Sequence, residues 1–351
     1  MRDRKKIAGR TLMVGLPGAE LDGATAERLE RLRPAGVILF GRNLDTPEAC
    51  ADLIRASRQH LFDPPLIALD QEGGRVSRLE PWVGSTPSAV ELAAGGKEAA
   101  RDFARRTAAA LSALGFNLDF APVVDICAPD AGNGIGDRSF GDDAGTVLEM
   151  AGEFLAGLQG AGVAGCIKHF PGLGRTSVDS HQTLPAVRRT ADQLLAEELV
   201  PFRLLAGRTA SVMVGHGHYP AWDGPRPLPA TGSRAIVGKL LRDDLGFQGL
   251  VVSDDLEMGA VGELDRDGAF AVKAIDAGCD LLLYCADLDR AERAAEALAR
   301  AATDNEALGR RLLAAADRVA ATAARWPAPD ADLSAWPAAR RALERPGGAS
   351  R

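Results

Sequence analysis

Eight short apolar runs, each followed by a longer stretch, constrain this chain more than any other feature of its sequence. The runs fall at 11–16, 36–40, 66–69, 116–120, 163–167, 211–214, 250–252 and 280–284. Amphipathic segments at 47–60, 97–114, 144–160, 191–205, 234–245 and 265–277 lie between them. Strands alternating with helical patterns indicate βαβ units and a parallel sheet. Eight such units are the number that closes a barrel, so the sequence predicts an α/β TIM (β/α)8 barrel in a single domain. An open doubly wound sheet is the rival. It would need a Gly-rich phosphate turn after the first strand, and Gly15-Leu16-Pro17-Gly18 is not GxGxxG. Two Ala-rich helices are expected at 287–303 and 306–325, which ends the barrel domain at 1–325. The Pro- and Ala-rich tail at 326–351 is expected to be loosely ordered.

Composition narrows the class. With 351 residues, 46% hydrophobic, the chain can bury a large core. A net charge of -7 gives no footprint for nucleic acid, and the basic run Arg2, Arg4, Lys5, Lys6, Arg10 reads as a solvated terminus. No apolar run approaches membrane-spanning length, and none has the form of a signal-peptide core. The five cysteines are odd in number and lack CxxC spacing. Cys127, Cys166 and Cys279 lie in or beside strand-like runs, where a thiol acts as a small hydrophobe. A reducing, cytoplasmic setting is the expectation.

In a barrel, the C-terminal ends of the strands face the active site. Here those ends carry unusual chemistry. The third strand ends in Asp70-Gln71-Glu72-Gly73-Gly74-Arg75, and the fourth leads to Asp119 and Asp125. The fifth ends in Lys168-His169, the sixth in His216-Gly217-His218, and the seventh in Ser253-Asp254-Asp255. Of the five histidines, only His60 lies away from these ends or the loop after the fifth strand. Asp70 directly follows the apolar run LIAL, which puts its carboxylate at the barrel mouth. Asp254 directly follows VVS and should also face the mouth, while Asp255 is better placed to cap the next helix. The long loop at 171–185 is rich in Gly, Ser, Thr and Asp, as an active-site loop should be. In it, Asp179-Ser180-His181 sets a carboxylate two residues from an imidazole, a pair able to serve as acid/base. Taken alone, that tripeptide would read as an Asx-turn with a surface histidine.

Together and in order, DQEGGRVSRL, DRSFG, KHFPGLG with DSH downstream, and VVSDDLEM resemble glycoside hydrolase family 3. More narrowly they are similar to its single-domain bacterial β-N-acetylhexosaminidases, over about 12–285. The resemblance implies a retaining exo-β-N-acetylglucosaminidase with Asp254 as nucleophile and His181, paired with Asp179, as acid/base. It also implies that Asp70, Arg78, Arg138, Lys168, His169 and His216 bind the sugar. The DSH element points to N-acetylglucosamine, because family 3 β-glucosidases take their acid/base from a carboxylate elsewhere. The implied role is trimming cell-wall fragments during peptidoglycan recycling, as a monomer with a carbohydrate substrate and neither metal nor cofactor. Two residues depart from the family pattern: Leu173 stands where FPGHG has histidine, and His218 is additional.

Three rivals remain at this level. A phosphorylase would run the same chemistry with phosphate in place of water. A metal-dependent amidohydrolase shares the barrel and an HxH pair, although His216-Gly217-His218 follows the sixth strand rather than the first. A non-catalytic sugar-binding protein could keep Asp70, Arg138 and Lys168 but would have no need of Asp254 with Asp179 and His181.

Overall fold

The computed structural model describes residues 2–176, 184–261 and 264–344. Its strands in chain order are β1 (Leu12–Gly15), β2 (Gly36–Ile38), β3 (Leu66–Leu69), β4 (Gln71–Gly73) and β5 (Val76–Ser77). They continue with β6 (Leu118–Asp119), β7 (Ala164–Phe170), β8 (Ser211–Val214), β9 (Leu250–Asp255) and β10 (Leu281–Tyr284). Eight of them close into a parallel barrel in the order β1-β10-β9-β8-β7-β6-β3-β2. The expected (β/α)8 barrel is therefore observed. The other two, β4 and β5, form an antiparallel hairpin at the exit of β3.

Side-chain alternation builds two layers of core. Met13, Ile38, Ala68, Leu118, Cys166, Met213, Val252 and Leu283 cluster together as the barrel filling. Val319 and Ala323 from the helix Glu306–Arg325 join that cluster. Their neighbours Leu12, Val14, Val37, Ile67 and Val251 belong instead to the larger cluster shared with the surrounding helices. All five cysteines are buried and free. No helix among the described residues is long and apolar enough to cross a membrane.

Several elements differ from the sequence expectation. Strands β7 and β9 run further than their apolar cores, through Phe170 and Asp255, because the ladders to β8 and β10 continue across the polar residues that follow those cores. β6 is shorter than 116–120, since the chain soon meets Pro122, which has no N–H to donate. The helix expected at 191–205 is broken into Ala191–Ala196 and Leu199–Leu205. Pro201 cannot donate to the carbonyl of Glu197, and Glu198 turns inward to meet Arg189 at 3.0 Å. Arg234–Asp244 is a wider helix, with Leu245 N–H bonding five residues back to Leu240 O.

The tail is the largest departure. Rather than lying loose, Trp336–Leu343 is a helix with Trp336, Ala339 and Leu343 buried. Trp336 meets Trp82 edge-on at 5.6 Å, and Arg106 Nη1 donates to Ala342 O at 2.8 Å. Burying Leu343 alone contributes about 2 kcal/mol. The basic N-terminal run also has structure: Arg2–Gly9 is a helix, Ala8 is in the core, and Lys5 pairs with Glu296 at 2.9 Å.

Candidate active site

A cavity of about 400 Å³ opens at the C-terminal ends of the strands, a size in the range of small-molecule sites. Charged residues from the β3–β4 junction, β4, β7 and β9 line it, beside Ile38, Phe40, Met213, Met258 and Leu283. Polar groups thus face an apolar wall, which suits a sugar ring with its hydroxyls on the edge and C–H bonds on the faces.

The polar side starts at the exit of β3. Asp70 and Glu72 are two residues apart in extended chain, so both side chains project to the same side. Gly73 and Gly74 then reverse the chain with φ of 96° and 55°, in the region that favours glycine. A Cβ on Gly73 would lie 2.4 Å from Pro87 O. Gln71, on the opposite side, accepts from Leu79 N–H and donates to Ser77 Oγ, locking the hairpin.

Lys168, buried on β7, holds the two carboxylates together. Its Nζ lies 2.9 Å from Asp70 Oδ1 and 2.6 Å from Glu72 Oε1. Arg138 closes the other side of Glu72 with Nε and Nη2 each donating at 2.8 Å, a bidentate fork. Arg78 reaches Asp70 at 3.4 Å and lies over the Phe40 ring. Burial pushes the Glu72 carboxyl up, but Arg138 and Lys168 outweigh it and hold the group well below the usual carboxylate range. Burial likewise disfavours the Lys168 ammonium, and Asp70 and Glu72 reverse that, raising its pKa. Under this cluster Asp119 is fully buried, its Oδ1 accepting from Gln71 N–H and its Oδ2 without a partner. Burial raises its pKa well above the ordinary value.

Asp254 lies on β9 and lines the cavity, its Oδ1 accepting from the Asp255 N–H at 2.9 Å. Asp255 has two tasks. Its Oδ1 accepts from Glu257 N–H, as expected of a cap, but its carboxyl also lines the cavity. Burial, followed by the nearby Glu257 and Asp254, pushes that carboxyl up to about 7.

His169 enters from β7, its Nδ1 2.7 Å from Asp125 Oδ2 and its Nε2 3.5 Å from Arg138 Nη2. His216 is placed differently from expectation. It is completely buried and absent from the cavity lining, with Nδ1 2.7 Å from Thr231 Oγ1 and Nε2 3.0 Å from Asp255 O. It braces the strand end that carries Asp254. His218 is also outside the lining and pairs through its backbone with Pro185 and Val187. The HxH pair therefore does not converge on the cavity.

The predicted acid/base pair Asp179 and His181 lies outside the described residues, but both flanks of that segment are in place. On one side Tyr219 OH donates to Gly172 O, and Asn133 Nδ2 donates to Gly174 O and Thr176 O. Leu173 and Thr176 line the cavity. On the other side His218 N–H donates to Pro185 O and Val187 N–H to His218 O, each at 2.8 Å.

Asp70, Arg78, Arg138, Lys168, His169 and Asp254 thus come together around one cavity. Glu72 also lines the cavity and Asp125 backs His169; the sequence placed both near strand ends but gave neither a role. The two-residue spacing from Asp70 could have exposed Glu72's role; nothing local marked Asp125 as the partner of His169.

A β/α barrel with paired acids, a buried lysine and a histidine at its mouth has the form of a glycosidase site. The chain belongs to glycoside hydrolase family 3: residues 8–321 match the family's N-terminal domain profile. It is 40% identical over 285 residues to a beta-hexosaminidase of Alkalilimnicola ehrlichii, covering 78% of this chain and 80% of that one. The structure superposes on a family 3 beta-N-acetylglucosaminidase of Paenibacillus with a TM-score of 0.85 and 37% identity, covering 92% of this chain. This chain spans only 62% of that longer protein. A beta-N-acetylhexosaminidase of Beutenbergia cavernae gives a TM-score of 0.83 at 32% identity, covering 92% of this chain and 98% of that one.

Proposed function

We propose that the chain is a retaining exo-β-N-acetylglucosaminidase that removes terminal N-acetylglucosamine from peptidoglycan fragments. The observation that carries this reading is Asp254 in the same cavity as the interlocked Asp70–Lys168–Glu72–Arg138 cluster. Such a cluster has the charge-assisted donors and acceptors to grip sugar hydroxyls. Its internal ion pairs hold those groups in position before a ligand arrives, so little of the binding free energy is lost to ordering them.

In the proposed reaction Asp254 attacks the anomeric carbon and forms a glycosyl ester, while His181 protonates the departing oxygen. Water, deprotonated by His181, then attacks that ester and restores Asp254. Each step inverts, so the product retains the β configuration. An imidazole, with an unperturbed pKa near 6.5, is suited to giving and taking a proton near neutrality. Asp179 would orient it and balance its charge. Carboxylate, imidazole and water complete the cycle, so no cofactor is needed. Action as a monomer in the cytoplasm belongs to the same proposal.

The test is hydrolysis of 4-nitrophenyl β-N-acetylglucosaminide beside the plain glucoside, with and without phosphate. Release of the N-acetylated sugar first as the β-anomer, independent of phosphate, supports the reading. Sugar 1-phosphate as product would make the enzyme a phosphorylase. A first-formed α-anomer would rule out retention.

A further inference from the structure

One buried carboxylate below the cavity takes no part in the reaction just described. Asp125 is completely inaccessible, and its two oxygens meet three nitrogens of a single short segment. Oδ2 accepts from the His169 backbone N–H at 3.2 Å and lies 2.7 Å from His169 Nδ1, while Oδ1 accepts from Leu173 N–H at 2.6 Å. Its backbone is fixed as well: Ser139 Oγ donates to Asp125 O at 2.6 Å, and Val124 N–H donates to Lys168 O at 2.7 Å. The carboxylate therefore cannot drift away from the imidazole it faces.

We propose that Asp125 is a positioning residue that fixes the proton of His169 on Nδ1, so that Nε2 faces the sugar site as a hydrogen-bond acceptor. A carboxylate can only accept, which requires the ring nitrogen 2.7 Å from it to be the donor. On the far side of the ring, Arg138 Nη2 lies 3.5 Å from Nε2. Guanidinium nitrogens are donors only, so a lone pair on Nε2 is what complements them. Both neighbours thus select the same tautomer. The same carboxylate holds Leu173, whose side chain lines the cavity, so one group aligns the ring and the start of the 171–185 loop. The role depends on His169 contacting the sugar, as proposed above.

Asparagine is the discriminating substitution. Its carbonyl oxygen can still accept from Leu173 N–H, but its NH2 would then meet two donors on His169. The backbone N–H cannot change, but the imidazole relieves its share of that conflict by moving its proton to Nε2.

The experiment combines ¹⁵N side-chain NMR of the histidines with kinetics, using His169→Gln to assign the His169 ring signals. Wild type should show a proton on Nδ1 and a bare Nε2; a proton on Nε2, alone or with one on Nδ1, overturns the proposal without any variant. Asp125→Asn, measured well below its own thermal midpoint so that the chain is folded, should show the displaced proton and lose about 10- to 100-fold in kcat/KM. The double variant Asp125→Asn/His169→Gln should fall no further than His169→Gln alone, as expected of a residue acting through another. Additive losses, or Asp125→Asn with wild-type ring signals and kinetics, overturn the proposal. Near wild-type kinetics for His169→Gln would instead remove the sugar-binding reading of His169, whatever tautomer the spectra show.

Discussion

Glu72 offers the sharpest test of how the site is held together. It accepts two hydrogen bonds from Arg138 at 2.8 Å and lies 2.6 Å from Lys168 Nζ. Glu72→Gln keeps the shape, removes the charge, and aims an NH2 at groups that can only donate. Removing one partner of a buried pair costs about 3–5 kcal/mol, because the remaining charges stay desolvated. Unfolding entropy of about 2.1 cal/mol/K per residue makes each kcal/mol worth roughly 1.4 °C in a chain of this length, so Tm should fall by about 4–7 °C. The pH dependence is more specific than the loss itself. Glu72 lies well below its usual value of 4.5 in the fold. Below that value the unfolded chain takes up a proton that the native state refuses, and wild type loses about 1.4 kcal/mol per pH unit from this group. The glutamine variant lacks that term, so the gap between the two proteins should be widest above pH 5 and narrow as the pH falls. Denaturant unfolding at several pH values between 7 and 3.5 measures it. Equal stability at pH 7, or a gap that stays constant with pH, would refute the argument.

Three other outcomes follow from the site. Asp254→Ala should abolish turnover while circular dichroism and Tm stay near wild type; retained activity would remove it as nucleophile. His181→Ala should slow substrates with poor leaving groups far more than activated aryl glycosides, and equal losses would count against an acid role. Asp255, pushed up to about 7, keeps a proton in the fold at pH values where the unfolded chain releases it. The stability this confers is full below about pH 4 and is lost as the pH rises to 7. Asp255→Asn should therefore gain stability relative to wild type across that window, and parallel unfolding curves would show that the carboxyl titrates normally.

What the sequence disclosed and what it hid follow from the range of the forces involved. Strand cores were legible because burying Ile67 or Val251 requires apolar side chains in short runs. The strand ends were not, because backbone ladders carry β7 through Lys168 and His169 and β9 through Asp254 and Asp255 regardless of polarity. The docked tail helix was written in the 336, 339, 343 spacing of Trp, Ala and Leu, but a Pro- and Ala-rich composition obscured it. The strand-end rule overreached at His216, which faces Thr231 rather than the cavity. It shows that a strand end sets where a residue is and leaves open which way it points. Glu72 illustrates the converse. Its position beside Asp70 was readable, but its role comes from Arg138, 66 residues further along. Asp125 is the extreme case, since no periodicity, cap or turn marks it, and its meaning lies entirely in the three nitrogens the fold brings to it. The groups that line the cavity were thus largely readable from local pattern, whereas the contacts that hold them in place became visible only when distant segments met.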